Sequence, residues 1–389
     1  MRSPLPRADA DRPGSGSYRD WPSSSGLAAL REGIVASFAA AACAGAGTVD
    51  RQYLVAGHRL RLRAAQADVM GRLSRTFAHL ETAPGSEPDL TVHLWDTRSR
   101  SVPAPPTPDV GDEQAPGAFF YASDPRLRAG YQLGTSGDAR VLAVYPEAPT
   151  PSLSVLDDAA GEAWYWVADA RRIPYWEEAT PLRYLLDWWL RDRGVHQLHA
   201  GAVGRPEGGV LVVGKSGSGK STATLSTIGT DLRYAGDDYV AITLEPRPWV
   251  HSLYGSGKLM PDHVGRLPFL VDGLANAERL EVEKAVVYVH ERWPDSVANG
   301  FPLLAILAAR VVPGLVHARI GEASRLEGLA ALAPSTVFQM HTRGQDSLAR
   351  MRRLAEAVPS FVLELGSDMP SIPRAISGLL DRLDAGAVR

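Results

Sequence analysis

The octapeptide Gly214-Lys215-Ser216-Gly217-Ser218-Gly219-Lys220-Ser221 follows the unbroken apolar run Val210 to Val213. It constrains the chain more than any other feature. It fits G-x-x-x-x-G-K-[ST] at every fixed position. Glycines at 214, 217 and 219 let the backbone curl until its N–H groups face inward, the geometry that cradles phosphate oxygens. An apolar strand before the loop and a helix after it, from Lys220 to about Ile228, complete the context such a loop needs. The site then calls for ATP with Mg²⁺. Gly214 through Thr222 form the nucleotide-binding stretch, Lys220 reaches the β- and γ-phosphates, and the Ser221 hydroxyl ligates the hard cation.

The surrounding pattern alternates strands and helices, which argues for an α/β core. Strands are expected at Gln197–Val203, Leu232–Tyr234, Tyr239–Leu244, Ala285–Val289, Leu303–Val311 and Phe361–Leu365, and a turn at Gly208-Gly209. Helices are expected near Gln345–Ala357 and Ile372–Leu383. The first half has a different character. Strand-like alternation runs from Thr48 to Ala64 across a turn at Gly57. Gln66 to Leu80 carries Val69, Leu73, Phe77 and Leu80 at helical spacing. Leu90–Trp95, Arg140–Tyr145 and Ala163–Ala168 read as strands, and the proline-rich stretch Ser101–Pro116 as a loop. Pro181–Arg193 is a helix with a broad apolar face, expected to dock between domains. The expected organisation is therefore a disordered tail over 1–25, a small α+β domain over 26–178 and an α/β nucleotide-binding domain over 179–389.

Composition narrows the classes. The 389 residues include 45% hydrophobic and 22% charged, enough for two domains with sizeable cores. A formal net charge of -3 offers no global basic field for nucleic acid or an anionic membrane. No apolar run reaches eighteen residues, and the N-terminus lacks the apolar centre of a signal peptide, so a cytoplasmic location is expected. Cys43 is the single cysteine, which excludes an internal disulfide and a cysteine-built metal site.

Two further features gather around the loop. Asp237 and Asp238 stand at a strand end, seventeen residues beyond Lys220. Adjacent carboxylates are costly to bury unless a cation neutralises them, so one would hold Mg²⁺ while the other takes a hydroxyl proton. His199 stands twenty-one residues before Lys220, on the strand that leads into the turn at Gly208. Lys258, in a glycine-flanked loop, and Arg310, at the end of an apolar strand, are secondary candidates for contact with transferring charge, the alternatives being a solvated lysine for the first and, preferred for the second, a structural ion pair. His251, His290, His317 and His341 show no ligand spacing.

The runs Leu198-His199-Ala200-Gly201, Gly214–Ser221 and Ala235-Gly236-Asp237-Asp238-Tyr239-Val240 resemble, in order and spacing, the catalytic domain of HPr kinase/phosphorylase. The similarity is greater to the HPr-kinase-like serine kinases, some of which act in lasso-peptide and other modified-peptide pathways. Ser252-Leu253-Tyr254, Lys258-Leu259 and Ala333-Pro334-Ser335-Thr336-Val337-Phe338-Gln339 look like that group too. The resemblance spans about 181 to 384. It implies a P-loop core of the HPr-kinase-like, phosphoenolpyruvate-carboxykinase-like type. It also implies transfer of phosphate from ATP to a serine of a peptide or protein, such as a modified-peptide precursor, and a tendency to form homo-oligomers. Carried over, Asp237 is the candidate base, oriented by His199, and Asp238 the metal ligand, with the two roles open to exchange. The competing reading is a nucleotide-binding regulator with little or no kinase activity.

Overall fold

The computed structural model describes residues 24–45, 47–99, 101–106, 131–136, 139–144, 150–339 and 344–387. The expected tail lies almost wholly outside them, as does most of the Ser101–Pro116 loop. The described part of that loop, 101–106, contains neither helix nor strand.

The first half runs α1 (Ser24–Ala44), β1 (Val49–Val55), β2 (His58–Ala64), α2 (Ala67–Ser74), a 3₁₀ segment (Arg75–Leu80), β3 (Glu81–Thr82), β4 (Leu90–Asp96), β5 (Tyr131–Ser136), β6 (Ala139–Val144), β7 (Ser152–Asp157), β8 (Glu162–Val167), α3 (Tyr175–Ala179) and α4 (Arg183–Arg191). Among the described residues these strands make one sheet in the order β3-β1-β2-β4-β8-β7-β6-β5. The β1–β2 hairpin turns on Ala56 and Gly57, both at positive φ, the backbone twist that two-residue hairpins favour. The helix expected over Gln66–Leu80 is divided: α2 ends at Ser74 and the chain tightens into the 3₁₀ segment. Val69, Leu73, Phe77 and Leu80 are all buried. Helix α1 was not anticipated. Its alanines give little apolar contrast, yet Leu30, Ile34 and Ala41 are buried at helical spacing against Trp95 and Trp166.

The second half runs β9 (His196–Leu198), β10 (Gly201–Arg205), β11 (Gly208–Val213), α5 (Lys220–Leu225), β12 (Arg233–Gly236), β13 (Val240–Thr243), β14 (Trp249–His251), β15 (Ser256–Leu259), β16 (Ala285–Tyr288), α6 (Val289–Arg292), β17 (Gly300–Val311), β18 (Arg319–Ala323), α7 (Arg325–Gln339), α8 (Gly344–Ala357), β19 (Ser360–Leu365) and α9 (Ser371–Ala387). Strand β11 pairs with β10 and, in parallel, with β17, which is itself parallel to β19. Both faces of β11 are covered. Leu211 and Val213 pack in a core with Leu332, Met351 and Leu354; Val210 and Val212 pack with Ile372, Ile376 and Leu379. Burial on both sides is why this strand reads as continuous apolar sequence.

Two details depart from the sequence reading. The strand expected over Gln197–Val203 breaks after Leu198, so His199 lies between β9 and β10. The turn falls at Pro206-Glu207, because Arg205 pairs with Gly208 and the strand begins at that glycine. Helix α4 packs in one core with Tyr53, Leu62 and Phe77 of the first half and Tyr239, Leu253 and Tyr254 of the second. Burial of Leu185, Leu186 and Trp189 there contributes about 1.5–3 kcal/mol per side chain. Among the described residues no helix is long and apolar enough to cross a membrane.

Candidate active site

The loop begins where β11 leaves the sheet. Val213 is registered with Ala308, so Gly214 emerges beside the end of β17. Gly214, Gly217 and Gly219 have φ of +144°, +77° and +96°. At Gly219 the requirement for glycine is also spatial, since a Cβ would lie 2.3 Å from Leu365 Cδ1. Lys215, Ser216 and Gly217 are exposed at the tip. Ser218 is buried, and its Oγ has no hydrogen-bond partner among the described residues. A buried, unsatisfied hydroxyl in a loop of curled backbone suits an oxygen-rich ligand. Lys220, also buried, donates from Nζ to Gly214 O at 2.8 Å and Lys215 O at 3.3 Å. Burial pulls its pKa down, against the opposing charges of Asp237 and Asp238. Thr222 is buried in the first turn of α5.

The aspartates lie between β12 and β13. Asp238 adopts φ +72°, a left-handed conformation that few non-glycine residues other than Asn and Asp adopt readily. Tyr239 N donates to Asp237 O at 2.9 Å and closes the turn. The turn sends the two neighbouring carboxylates into different surroundings. Asp237 is 1% exposed and faces α5. Its Oδ1 accepts from Thr224 Oγ1 at 3.4 Å, and Lys258 N donates to Oδ2 at 3.3 Å. Burial, and then the neighbouring Asp238 charge, push its pKa up.

Asp238 meets His199 Nε2 at 2.9 Å through Oδ1 and is ion-paired to Lys258 Nζ through Oδ2. Burial would raise its pKa, but the Lys258 ammonium and the His199 hydrogen bond outweigh burial and hold it well below the usual carboxylate range. Of the two aspartates whose roles the sequence left open to exchange, His199 therefore partners Asp238 and not Asp237. The left-handed step at Asp238 turns that side chain, and not Asp237, toward the ring. His199 is 7% exposed and meets the Tyr239 ring edge-on at 5.3 Å. Tyr239 OH in turn accepts from Arg183 Nη1 at 2.8 Å.

Lys258, on β15, thus belongs to the constellation. Arg310 does not. It lies on the exposed surface, paired with Glu364, which also holds Arg319. Arg183 and Tyr239 were not singled out from sequence. The only signal was the tyrosine directly after the aspartate pair, which periodicity assigned to a strand.

Among the described residues no group of three or more His, Cys, Asp or Glu side chains is arranged to hold a metal by itself. Mg²⁺ does not need one, because it keeps several waters and shares one or two protein oxygens with phosphate. Ser221 Oγ and the Asp237 carboxylate would supply those oxygens: Ser221 opens α5, Asp237 is bonded to Thr224 on the same helix, and among the described residues Asp237 is in no salt bridge.

No family model and no curated protein matches the chain. Among solved structures, the Hpr(Ser) kinase/phosphatase from Coxiella burnetii is distantly similar. Sequence identity is 13% over 50% of this chain and 99% of that one, with a TM-score of 0.28.

Proposed function

We propose that the chain is an ATP-dependent kinase that transfers the γ-phosphoryl group of Mg-ATP to a serine hydroxyl of a peptide or protein. The observation that carries this reading is the divergence of the two aspartates. Asp237 turns to Thr224 on the helix that follows the loop, and Asp238 is held ionised by His199 and Lys258. A site for hydroxyl phosphorylation needs both environments within reach of one phosphoryl group.

In this reading the loop amides and Lys220 bind the phosphates of ATP. Ser221 and Asp237 hold Mg²⁺, which supplies neutralisation of phosphate charge when bound. Asp238 accepts the proton as the serine oxygen forms its bond to the γ-phosphorus and the bond to ADP breaks. His199 donates from Nε2 to Asp238 and fixes its orientation. Lys258 has two anionic partners to choose between, Asp238 and the transferring group. As negative charge comes near, its attraction is shared, and Asp238 becomes a better base at the moment a base is needed. The first half of the chain selects the acceptor, and the cytoplasm, rich in ATP, is where the enzyme works.

The test incubates purified chain with Mg²⁺ and isotopically labelled ATP against a library of serine-containing peptides. Phosphoserine is detected by mass spectrometry. Labelled peptide that disappears with Asp238→Asn supports the proposal. Tight ATP binding with no phosphorylated product from any peptide would refute it and favour a nucleotide-binding regulator.

A further inference from the structure

Lys258 is three residues beyond Gly255, and the chain between Ser252 and Ser256 is gripped from outside its own sheet. Gly255 N donates to Thr76 O at 2.8 Å, and Ser252 Oγ meets His79 Nε2 at 2.7 Å. Thr76 and His79 both belong to the 3₁₀ segment Arg75–Leu80 of the first half. Thr76 Oγ1 also donates to Ala179 O at 3.2 Å, the carbonyl that accepts from Ser256 Oγ. Tyr254 OH donates to Pro181 O at 3.1 Å. The partner strand is held by the same segment. Ser256 is registered with Tyr288 on β16, and the Arg75 guanidinium lies 4.1 Å from the centre of the Tyr288 ring. Arg75 Nη2 also donates to Glu291 Oε2 at 2.6 Å.

These bonds do more than bury surface. Ser252 and Ser256 are fully enclosed, as is Tyr254, so each polar contact replaces one that water cannot supply. Among the described residues the β15–β16 ladder pairs with no strand of the nine-stranded sheet. Its position relative to the aspartates is set by Lys258 N on Asp237, by the Lys258 ion pair, by Tyr234 OH of β12, which donates to Ser256 O at 2.7 Å, by packing of Leu259 with Leu225 and Tyr234, and by the grip of the first half.

We propose that the 3₁₀ segment Arg75–Leu80 is a positioning element of the active site, and that Thr76 and His79 are positioning residues that hold β15 so that Lys258 stays registered on Asp238. The kinetic part of this inference rests on the kinase reading above; the structural part does not.

Gly255→Ala is the test variant. A Cβ there would lie 2.9 Å from His79 Nδ1 and 3.3 Å from Thr76 O, so the grip must shift by a few tenths of an ångström while the glycine's own φ stays permissive. His79→Gln is the second variant, in case the first fails to fold. Asp50→Asn, which removes an exposed pair with Arg63 on β1 and β2, is the control for general disturbance of the first half.

Amide exchange across residues 256–259 and the rate of Lys258 acylation are followed by mass spectrometry, beside nucleotide affinity and turnover. Expected in both test variants are faster exchange and faster acylation at Lys258, with nucleotide affinity unchanged and kcat lower by about tenfold or more. The control should match wild type. Unchanged exchange and acylation in folded Gly255→Ala and His79→Gln would overturn the inference, as would equal changes in Asp50→Asn. If wild-type protein transfers no phosphate, the kinase reading falls, and exchange and acylation alone decide the positioning role.

Discussion

Replacing Asp238 by asparagine separates the two aspartates' roles with little change of shape. The backbone is not a confounder, because Asn accepts the left-handed conformation at φ +72° as readily as Asp. What is lost is charge. Lys258, with a side chain 11% exposed, loses its counter-ion, and His199 loses a charge-assisted acceptor. Breaking a buried pair costs about 3–5 kcal/mol. Asp238 keeps 22% side-chain exposure and the amide oxygen still accepts a hydrogen bond, so the expected loss of folding stability is smaller, about 1–3 kcal/mol. Removal of a general base lowers turnover by about 10²–10⁴. Lys220, Ser221 and Asp237 are untouched, so nucleotide affinity should hold. Asp237→Asn should give the opposite pattern. Its carboxyl is already pushed toward the neutral form by burial, so stability should hardly change, while Mg²⁺-dependent nucleotide affinity should fall about tenfold or more. Denaturant melts, nucleotide titration with and without Mg²⁺, and phosphoserine formation read all three effects. Full transfer by Asp238→Asn, with transfer lost and nucleotide affinity intact in Asp237→Asn, would refute the assignment.

Gly219→Ala should abolish nucleotide binding and cost about 2–4 kcal/mol in a denaturant melt, because it adds left-handed strain to a Cβ 2.3 Å from Leu365 Cδ1. Arg310→Ala should leave transfer and melting unchanged, since its partner Glu364 still has Arg319; a fall in kcat of about tenfold would return Arg310 to the catalytic set. Burial first, and then the nearby His290, push the His79 pKa from 6.5 to about 3. Above pH 6.5 neither folded nor unfolded His79 is charged, and the full stability is present. Below 6.5 the unfolded chain takes up the proton and the folded one does not, so stability falls by about 1.4 kcal/mol per pH unit down to about pH 3. His196 and His251, pushed down to about 4 chiefly by burial, steepen the same slope. Denaturant melts from pH 4 to 8 should show a shallower slope for His79→Asn than for wild type, and equal slopes would sink the reasoning.

What could be read from the chain was what lies within one stretch of it. The Gly214–Ser221 loop was legible because its glycines, lysine and serine act as neighbours, and β11 because both its faces are buried. The aspartate pair was visible as a cluster, but the different surroundings of its two carboxylates were not. These depend on one φ angle at Asp238, and aspartate carries no mark of the conformation it will take. Which aspartate meets His199 was left open between the two for the same reason, and the structure pairs it with Asp238. Arg183 meets the site through Tyr239, across two elements far apart in sequence, and nothing local betrays it. The reading of Arg310 as a strand-end cation was correct in place. Glu364 engages it, and parallel registry between β17 and β19 was beyond what spacing could show.

The core that joins Tyr53 and Phe77 to Leu185, Trp189 and Tyr254 has a practical consequence. A shortened chain beginning near residue 179 would keep every residue of the Gly214–Ser221 loop and both aspartates. It would also open that core to water, uncovering the apolar side chains of α4 and the ring of Tyr254 where they meet the first half. Such a fragment should be sought with detergents and chaperones in mind, and an inactive, aggregating preparation of it would say nothing about the chemistry of the intact protein.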